Sequence, residues 1–191
     1  MGHSREDKAE SHEHIVKIAA ARFRELGVEG LGVAELMKEA GLTHGGFYRH
    51  FDSREELVAE AIERALKDGG QRAAAVAAHT PQAPLAALVD AYLSTAHRDH
   101  LASSCAVTTL AGDVSRGGER ARTAYTRQVG VYLELLAGLI ASDSQKERRA
   151  QAILAMATLV GALSMARAVN DEKLSRELLK SAADALKAYL G

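Results

Sequence analysis

The sequence has almost no proline and only one residue that could form a disulfide. Of 191 residues, one is cysteine, two are proline and none is tryptophan. The lone Cys105 excludes an intramolecular disulfide, so we expect a reducing, cytoplasmic setting. Both prolines, Pro81 and Pro84, lie in one short stretch. The remainder is dominated by alanine, leucine, glutamate and arginine, which predicts an almost entirely helical chain.

A marked excess of positive charge is also missing. The formal net charge is −1, and the first 68 residues carry fourteen acidic against ten basic side chains. A prediction of nucleic-acid binding therefore has to rest on the placement of particular residues. The polar N-terminal stretch MGHSREDKAESHEH has no apolar segment, so we expect no secretory signal.

One apolar run approaches the length of a membrane span. It is AILAMATLVGALSMARAV, residues 152–169. Thr158, Gly161, Ser164 and Arg167 interrupt it, and the sequence offers no second span or aromatic belt. We therefore expect a buried helix and no membrane partner.

Helical spacing and capping residues predict the elements. The N-terminal third reads as a helix over about 8–26 ended by Gly27, a short helix over 33–40, and a third short helix that Thr43 caps and that runs to about 50. Gly32 is the N-cap of the second helix and Gly41 its stop. Ser53 with Glu56 forms a capping box that opens a long helix into the 70s. After a linker at 79–84 the sequence predicts helices over 85–97, 105–114, 119–141, 145–169 and 173–190.

The third short helix lies in GLTHGGFYRHF, residues 41–51. Two adjacent glycines in a helix cost roughly 2 kcal/mol relative to alanine. Phe47 and Phe51 share one face at i, i+4 spacing and are expected in the core. His44, Tyr48 and Arg49 then lie on the opposite, outward side.

This order of elements resembles the TetR/AcrR family of transcriptional regulators. The resemblance runs from about Ile15 to Leu66 and includes FRELG, AGLTHGGFYRHF and SREELV. It implies an all-α fold, with an N-terminal three-helix helix-turn-helix DNA-binding domain at 8–52 and a larger helical effector-binding and dimerisation domain at 53–191. It also implies a homodimer that binds a palindromic double-stranded DNA operator, is not an enzyme and uses no cofactor.

The resemblance places the recognition helix at residues 42–50, and the residue chemistry agrees. Thr43 offers a hydroxyl at a helix N-terminus, and His44 and Arg49 suit a phosphate or a guanine edge. A histidine packed into the core is the alternative for His50. The candidate DNA-binding residues are Thr43, His44, Gly45, Gly46, Tyr48, Arg49, His50 and Arg54; the two glycines allow close backbone approach.

The resemblance assigns dimerisation to the two long helices at 119–141 and 145–169, which would form a four-helix interface with their counterparts. A wholly intramolecular core is the alternative. The predicted interface residues are Tyr125, Val129, Tyr132, Leu136, Ile153, Leu159 and Leu163.

Cys105 lies in SSCAVTTLAGDVSR and has two interpretations. It is either a small buried hydrophobic residue, or a thiol that senses oxidants or electrophiles or lines an effector pocket with Tyr92 and Met156. His97 and His100 could join it in a metal site or act as a catalytic base. Because no second cysteine or carboxylate is in register, the sequence predicts no metal.

The leading hypothesis is therefore a ligand-responsive repressor that an unknown small molecule releases from DNA. The alternatives are a helical protein-interaction module without DNA binding and, more remotely, a Cys-dependent enzyme.

Overall fold

The computed structural model describes residues 5–190, so Gly191 and the first four residues of the polar N-terminal stretch lie outside that range. Within it the chain is helical and has no β-strand, which confirms the all-α prediction. The α-helices are α1 Arg5–Leu26, α2 Val33–Glu39, α3 Arg54–His79, α4 Pro84–Tyr92, α5 Thr95–Asp99, α6 Ala106–Thr109, α7 Ala111–Arg116, α8 Glu119–Leu139, α9 Gln145–Ala168 and α10 Glu172–Leu190. Two 3₁₀ helices cover His44–Arg49 and Leu101–Ser103.

Glycine ends the first two helices, as the sequence predicts. Gly27 and Gly41 have φ values of 74° and 72°, the left-handed region that other residues adopt only at a cost. After α2, the Gly41 amide donates to the Lys38 carbonyl at 3.0 Å and the Leu42 amide donates to the Met37 carbonyl at 2.8 Å. These two bonds form a Schellman motif, which satisfies the last carbonyls of α2 and turns the chain toward residues 44–49.

Helix α3 joins the N-terminal helices to the rest of the chain. Ser53 caps it, because the Ser53 hydroxyl accepts from the Glu56 amide at 3.1 Å. The Glu56 carboxylate accepts from the Asp52 amide at 2.6 Å, one residue earlier than in a standard capping box. Over its 26 residues α3 packs against both α1 and α8. Helices α4, α9 and α10 complete the larger bundle.

Three predicted helices differ from the observed ones. The segment 85–97 is two helices, α4 and α5, because the Ser94 hydroxyl accepts from the His97 amide at 3.1 Å and starts a new helix. The segment 105–114 is also divided, into α6 and α7 at Leu110. The third short helix is a 3₁₀ helix, a form compatible with its short length and its two glycines.

Helix α9 contains the apolar run. By length and composition it could cross a membrane, with a mean hydropathy of 1.4 over its most apolar window. In the fold 39% of that window is buried, and α9 packs against both α8 and α10. A core helix meets the same criteria of length and hydropathy, so this run does not indicate a membrane protein.

We expect Gly41→Ala to lower the free energy of unfolding by about 1–2 kcal/mol, because alanine is strained at a φ of 72°. Gly130→Ala is the control: it lies within α8 and its added Cβ meets no atom within 4 Å. That change should stabilise by up to about 1 kcal/mol through helix propensity. Urea unfolding at a fixed protein concentration measures both. Equal effects of the two substitutions would contradict the Schellman assignment.

Candidate nucleic-acid interface and internal cavity

Two phenylalanines fix the orientation of the 3₁₀ helix 44–49. Phe47 and Phe51 are 2% and 1% exposed, and their rings stack with centroids 5.4 Å apart. The His12 ring of α1 stacks on Phe51 at 4.5 Å, and its Nε2 lies 2.7 Å from the Glu60 carboxylate. Burying each phenylalanine contributes about 1.5–3 kcal/mol, which is enough to offset the roughly 2 kcal/mol that the glycine pair costs. The prediction that both rings lie in the core is confirmed.

The opposite side of this helix faces solvent. Thr43, His44, Gly45 and Arg49 are exposed, and Tyr48 is 73% exposed. Thr43 occupies the N-cap position, but its side chain makes no capping hydrogen bond. Among residues 5–190, the Arg49 guanidinium has no hydrogen bond or ion pair. We call Thr43, His44, Gly45, Tyr48 and Arg49 the exposed recognition surface.

Two other candidates have partners within the protein. The Arg54 guanidinium donates to the Val28 carbonyl at 2.6 Å and to the Glu29 carboxylate at 3.1 Å, so it holds the loop between α1 and α2. His50 is partly buried, and its Nδ1 has no hydrogen-bond partner. The pKa of His50 is lowered, mainly by this burial and next by the charge of the nearby His12 side chain. Gly46 is half-buried beside the Thr43 hydroxyl and the Met37 side chain.

A cavity of about 330 Å³ lies in the larger bundle, between α3, α4, α5 and α8. Tyr92 and Cys105, two of the three residues predicted for an effector pocket, line it. The third, Met156, does not line it; it is 8% exposed and belongs to the apolar core. Periodicity along α9 thus identifies Met156 as a buried residue but does not show which space lies beside it.

The sequence missed two further wall residues, Arg72 on α3 and Tyr132 on α8. The adjacent Gly69 and Gly70 were an available signal, since two glycines inside a long helix mark a close approach. A Cβ added at Gly69 would lie 2.6 Å from the Tyr132 hydroxyl. Gly69 therefore lets the tyrosine ring reach the cavity.

His97 organises the turn that carries Cys105. Its Nδ1 lies 2.7 Å from the Tyr92 carbonyl, and its Nε2 accepts from the Cys105 amide at 3.1 Å. A ring that donates through Nδ1 and accepts at Nε2 is neutral. Burial lowers its pKa, in agreement with that state. Both nitrogens are engaged, and no group of metal-ligating side chains occurs within residues 5–190.

Comparison with known proteins finds TetR-type regulators. Residues 15–61 match the model described as bacterial regulatory proteins, tetR family. A TetR transcriptional regulator from Chloroflexus aurantiacus superposes with a TM-score of 0.80 at 26% identity, over 96% of each chain. Residues 15–61 are therefore of the TetR type. The matched proteins are transcriptional regulators and not enzymes, in agreement with the prediction that this chain is not an enzyme.

Curated relatives match less than half of this chain. AcrR of Shigella flexneri is 29% identical over 85 residues, 44% of this chain and 40% of AcrR. An HTH-type regulator of Staphylococcus aureus is 37% identical over 62 residues, 32% of this chain and 34% of that protein. The matches thus span well under half of these relatives. The reduced form of Escherichia coli NemR shares the fold, with a TM-score of 0.77 at 22% identity over 94% of this chain and 96% of NemR.

Four of the predicted dimer residues are buried within this chain. Tyr132, Leu136, Leu159 and Leu163 are at most 8% exposed, because they form the chain's own core. Tyr125 and Val129 are half-buried against the same core. Ile153, the remaining prediction, is 50% exposed. Of the seven predicted interface residues, these four therefore lie on the inward faces of α8 and α9.

The exposed face of α9 is apolar and made partly of small side chains. Ile153, Ala157, Gly161 and Met165 follow one another at four-residue spacing, so they lie along one side of the helix. Ile153 and Met165 are 50% and 52% exposed, and Leu154 beside them is 48% exposed. A Cβ added at Gly161 meets no atom within 4 Å. We call this set the α9 outer face.

Buried Arg24 joins α1 to the region of the cavity. Its Nε donates to the Ala102 carbonyl at 2.7 Å and its Nη1 to the Ala65 carbonyl at 3.3 Å. The residue is 6% exposed, and burial lowers its pKa. Ala102 directly precedes Ser103, which lines the cavity together with Cys105. One side chain therefore links the N-terminal helices to the cavity wall.

We expect Gly69→Ala and Tyr132→Phe to be strongly coupled. Alone, Gly69→Ala should destabilise by about 1 kcal/mol or more, because its Cβ would lie 2.6 Å from the Tyr132 hydroxyl. In a Tyr132→Phe protein the nearest ring atom is the Cζ carbon, 4.0 Å away, so the same change should stabilise by up to about 1 kcal/mol. Urea unfolding of the four proteins gives the coupling energy. Additive effects would contradict the packing of Tyr132 against α3.

Proposed function

We propose that this chain is a ligand-responsive transcriptional repressor that binds a palindromic DNA operator as a homodimer. The observation that carries the proposal is the exposed recognition surface, held outward by two buried phenylalanines within a TetR-type helix-turn-helix. Solvent-facing hydroxyl, imidazole and guanidinium groups are the side chains that contact phosphates and base edges in the major groove. We infer that residues 8–52 form the DNA-binding domain, that 53–191 bind effector and dimerise, and that the protein acts in the cytoplasm.

Charge placement supports this surface in spite of the acidic N-terminal third. Glu39, Glu60 and Glu13 lie within ion-pair distance of Arg22, His12 and Arg64 respectively. Arg49, in contrast, has no acidic partner among the described residues. A phosphate backbone would therefore meet an unpaired cation here. We exclude Arg54 from the proposed contacts, since the loop after α1 already holds its guanidinium.

We propose that dimerisation uses the α9 outer face. A one-sided apolar strip on a long helix is expected to bury itself against a partner, and small residues let two helix backbones approach closely. The proposed interface keeps Ile153 from the sequence prediction and adds Leu154, Ala157, Gly161 and Met165.

We further propose that a small molecule in the cavity releases the operator. The cavity wall and α1 share the turn at Leu101–Ser103, where Arg24 binds the Ala102 carbonyl. A ligand that moves this turn also moves α1 relative to the larger bundle. The spacing of the two recognition surfaces in the dimer then changes. Cys105 belongs to the cavity wall in this scheme. Its Sγ lies 4.0 Å from the Tyr132 hydroxyl.

Tyr48→Ala should weaken binding to DNA selected from a random-sequence pool by about tenfold, because a phosphate contact is lost. Tyr189→Ala is the matched control, since Tyr189 is 57% exposed but lies on α10. Gel shifts over a range of salt concentrations measure both variants. An affinity that falls equally for the two, or for neither, would refute the assigned surface, and failure of the pool to yield any bound DNA would refute the function.

Ile153→Glu should convert the dimer to a monomer, because a carboxylate would be buried in an apolar contact between two copies of α9. Leu174→Glu, at a position on α10 that is 42% exposed, supplies the same change elsewhere and should remain dimeric. Sedimentation at a fixed concentration distinguishes monomer from dimer. A dimeric Ile153→Glu protein would show that another surface forms the interface.

A further inference from the structure

We propose that the cavity binds a small, largely apolar molecule that carries one carboxylate, and that Arg72 is the partner of that carboxylate. The inference deepens the proposed effector role of the same cavity and names the chemical class of its ligand. It rests on the charges that face the cavity, the hydrogen-bond donors left free there, and the size of the space.

The formal charge on the cavity wall is positive. Arg72 is the permanently charged residue in the wall, and no aspartate or glutamate lines the cavity. Asp68, one turn earlier on α3, accepts from the Arg64 Nε at 2.8 Å and is thereby engaged. Arg72 itself has no hydrogen bond or ion pair within residues 5–190. A guanidinium fits a carboxylate through two parallel hydrogen bonds, so an acidic ligand would supply the missing partner.

Tyr132 supplies a second donor beside Arg72. Its hydroxyl oxygen accepts weakly from the Cys105 thiol at 4.0 Å, and its own proton goes to no described residue. Burial raises the pKa of Tyr132, which keeps the hydroxyl protonated. Gly69, which the hydroxyl approaches, and Arg72 are three residues apart and so lie on one face of α3. The two donors therefore border the same stretch of wall.

The other polar wall groups are engaged within the protein. The Tyr92 hydroxyl lies 2.6 Å from the Thr108 hydroxyl. Neutral His97 uses both ring nitrogens on the backbone of Tyr92 and Cys105. His100 is an exposed histidine at the rim, and its Nδ1 lies 2.8 Å from the Ala96 carbonyl. A cationic ligand would find no carboxylate among these groups.

The rest of the wall is apolar, and the volume of the cavity limits the size of the ligand. Ala73, Val76, Leu88, Ala91 and Ala96 line the space. A cavity of about 330 Å³ equals the volume that roughly eleven water molecules occupy in the liquid. It therefore fits a molecule of about a dozen heavy atoms. An apolar body with an acidic end satisfies these constraints together with the two donors on α3 and α8.

The test uses two pairs of probes that differ in charge but hardly in shape: 2-naphthoate with 2-naphthamide, and octanoate with octanamide. Calorimetry on the full chain without DNA should show at least one acid binding about tenfold or more tighter than its amide. Arg72→Gln should remove that preference. Arg122→Gln, an equal loss of charge on the exposed surface of α8 outside the cavity, should preserve it.

Tyr132→Phe provides a second readout and should weaken the acid severalfold while leaving part of the preference, since Arg72 remains. Binding of the naphthyl acid alone, of octanoate alone, or of both supports the proposal and tells whether the body is aromatic or aliphatic. Equal affinity for acid and amide, a preference that survives Arg72→Gln, or no binding by any probe would overturn it. Gel shifts made separately keep the two proposals apart, because a protein that binds no DNA but prefers the acid refutes only the regulatory function.

Discussion

The positively charged Arg24 guanidinium lies in the contact between α1 and the larger bundle, where it donates hydrogen bonds to two backbone carbonyls. A buried charge is tolerated only while its hydrogen bonds are intact, because desolvation otherwise leaves it uncompensated. The Ala102 and Ala65 carbonyls belong to the 3₁₀ turn after α5 and to α3. Sliding α1 along either element would break these bonds. The constraint therefore fixes α1, and with it the helix-turn-helix, relative to the turn that borders the cavity.

This joint gives a short physical path between the two proposed binding sites. At one end of α1, Arg24 binds the turn next to Ser103 and Cys105. Nearer its other end, His12 stacks on Phe51, which in turn stacks on Phe47 of the 3₁₀ helix. A helix transmits displacement of one end to the other because its backbone hydrogen bonds hold it rigid. A shift of the Ala102 carbonyl would thus reach the recognition surface without any deformation inside α1.

The parts of the fold that could be predicted from the sequence are those with a local cause. Gly27, Gly41 and Ser53 end or start helices through their own backbone or side-chain chemistry, and the structure confirms all three. Ser94 is a local signal of the same kind, since its hydroxyl starts α5, yet the apolar spacing on either side of it suggested one continuous helix. The 3₁₀ form of residues 44–49 was also missed, because glycine and aromatic residues at this spacing are compatible with either type of helix.

The cavity and the proposed dimer surface depend on packing between distant segments, which the periodicity of the sequence does not describe. Periodicity along α8 marks Tyr132 and Leu136 as buried but cannot distinguish burial by the same chain from burial by a second copy. The apolar composition of α9 has the same ambiguity, since one face serves the core and the other remains exposed. Arg72 gave no signal, because an arginine on a helix surface is ordinary until its lack of an acidic partner is known.

The glycine pair at 45 and 46 is not required by the monomer. Neither residue has a positive φ, an added Cβ at Gly45 meets no atom within 4 Å, and one at Gly46 makes only ordinary contacts at 3.6 and 3.8 Å. This contrasts with Gly69, where the tyrosine hydroxyl occupies the space. A residue that costs about 1 kcal/mol in helix propensity and relieves no internal clash must be explained by what approaches from outside. A slim recognition surface that brings its backbone close to a groove accounts for the pair. The burial of Phe47 and Phe51 offsets the helix propensity that the two glycines lose.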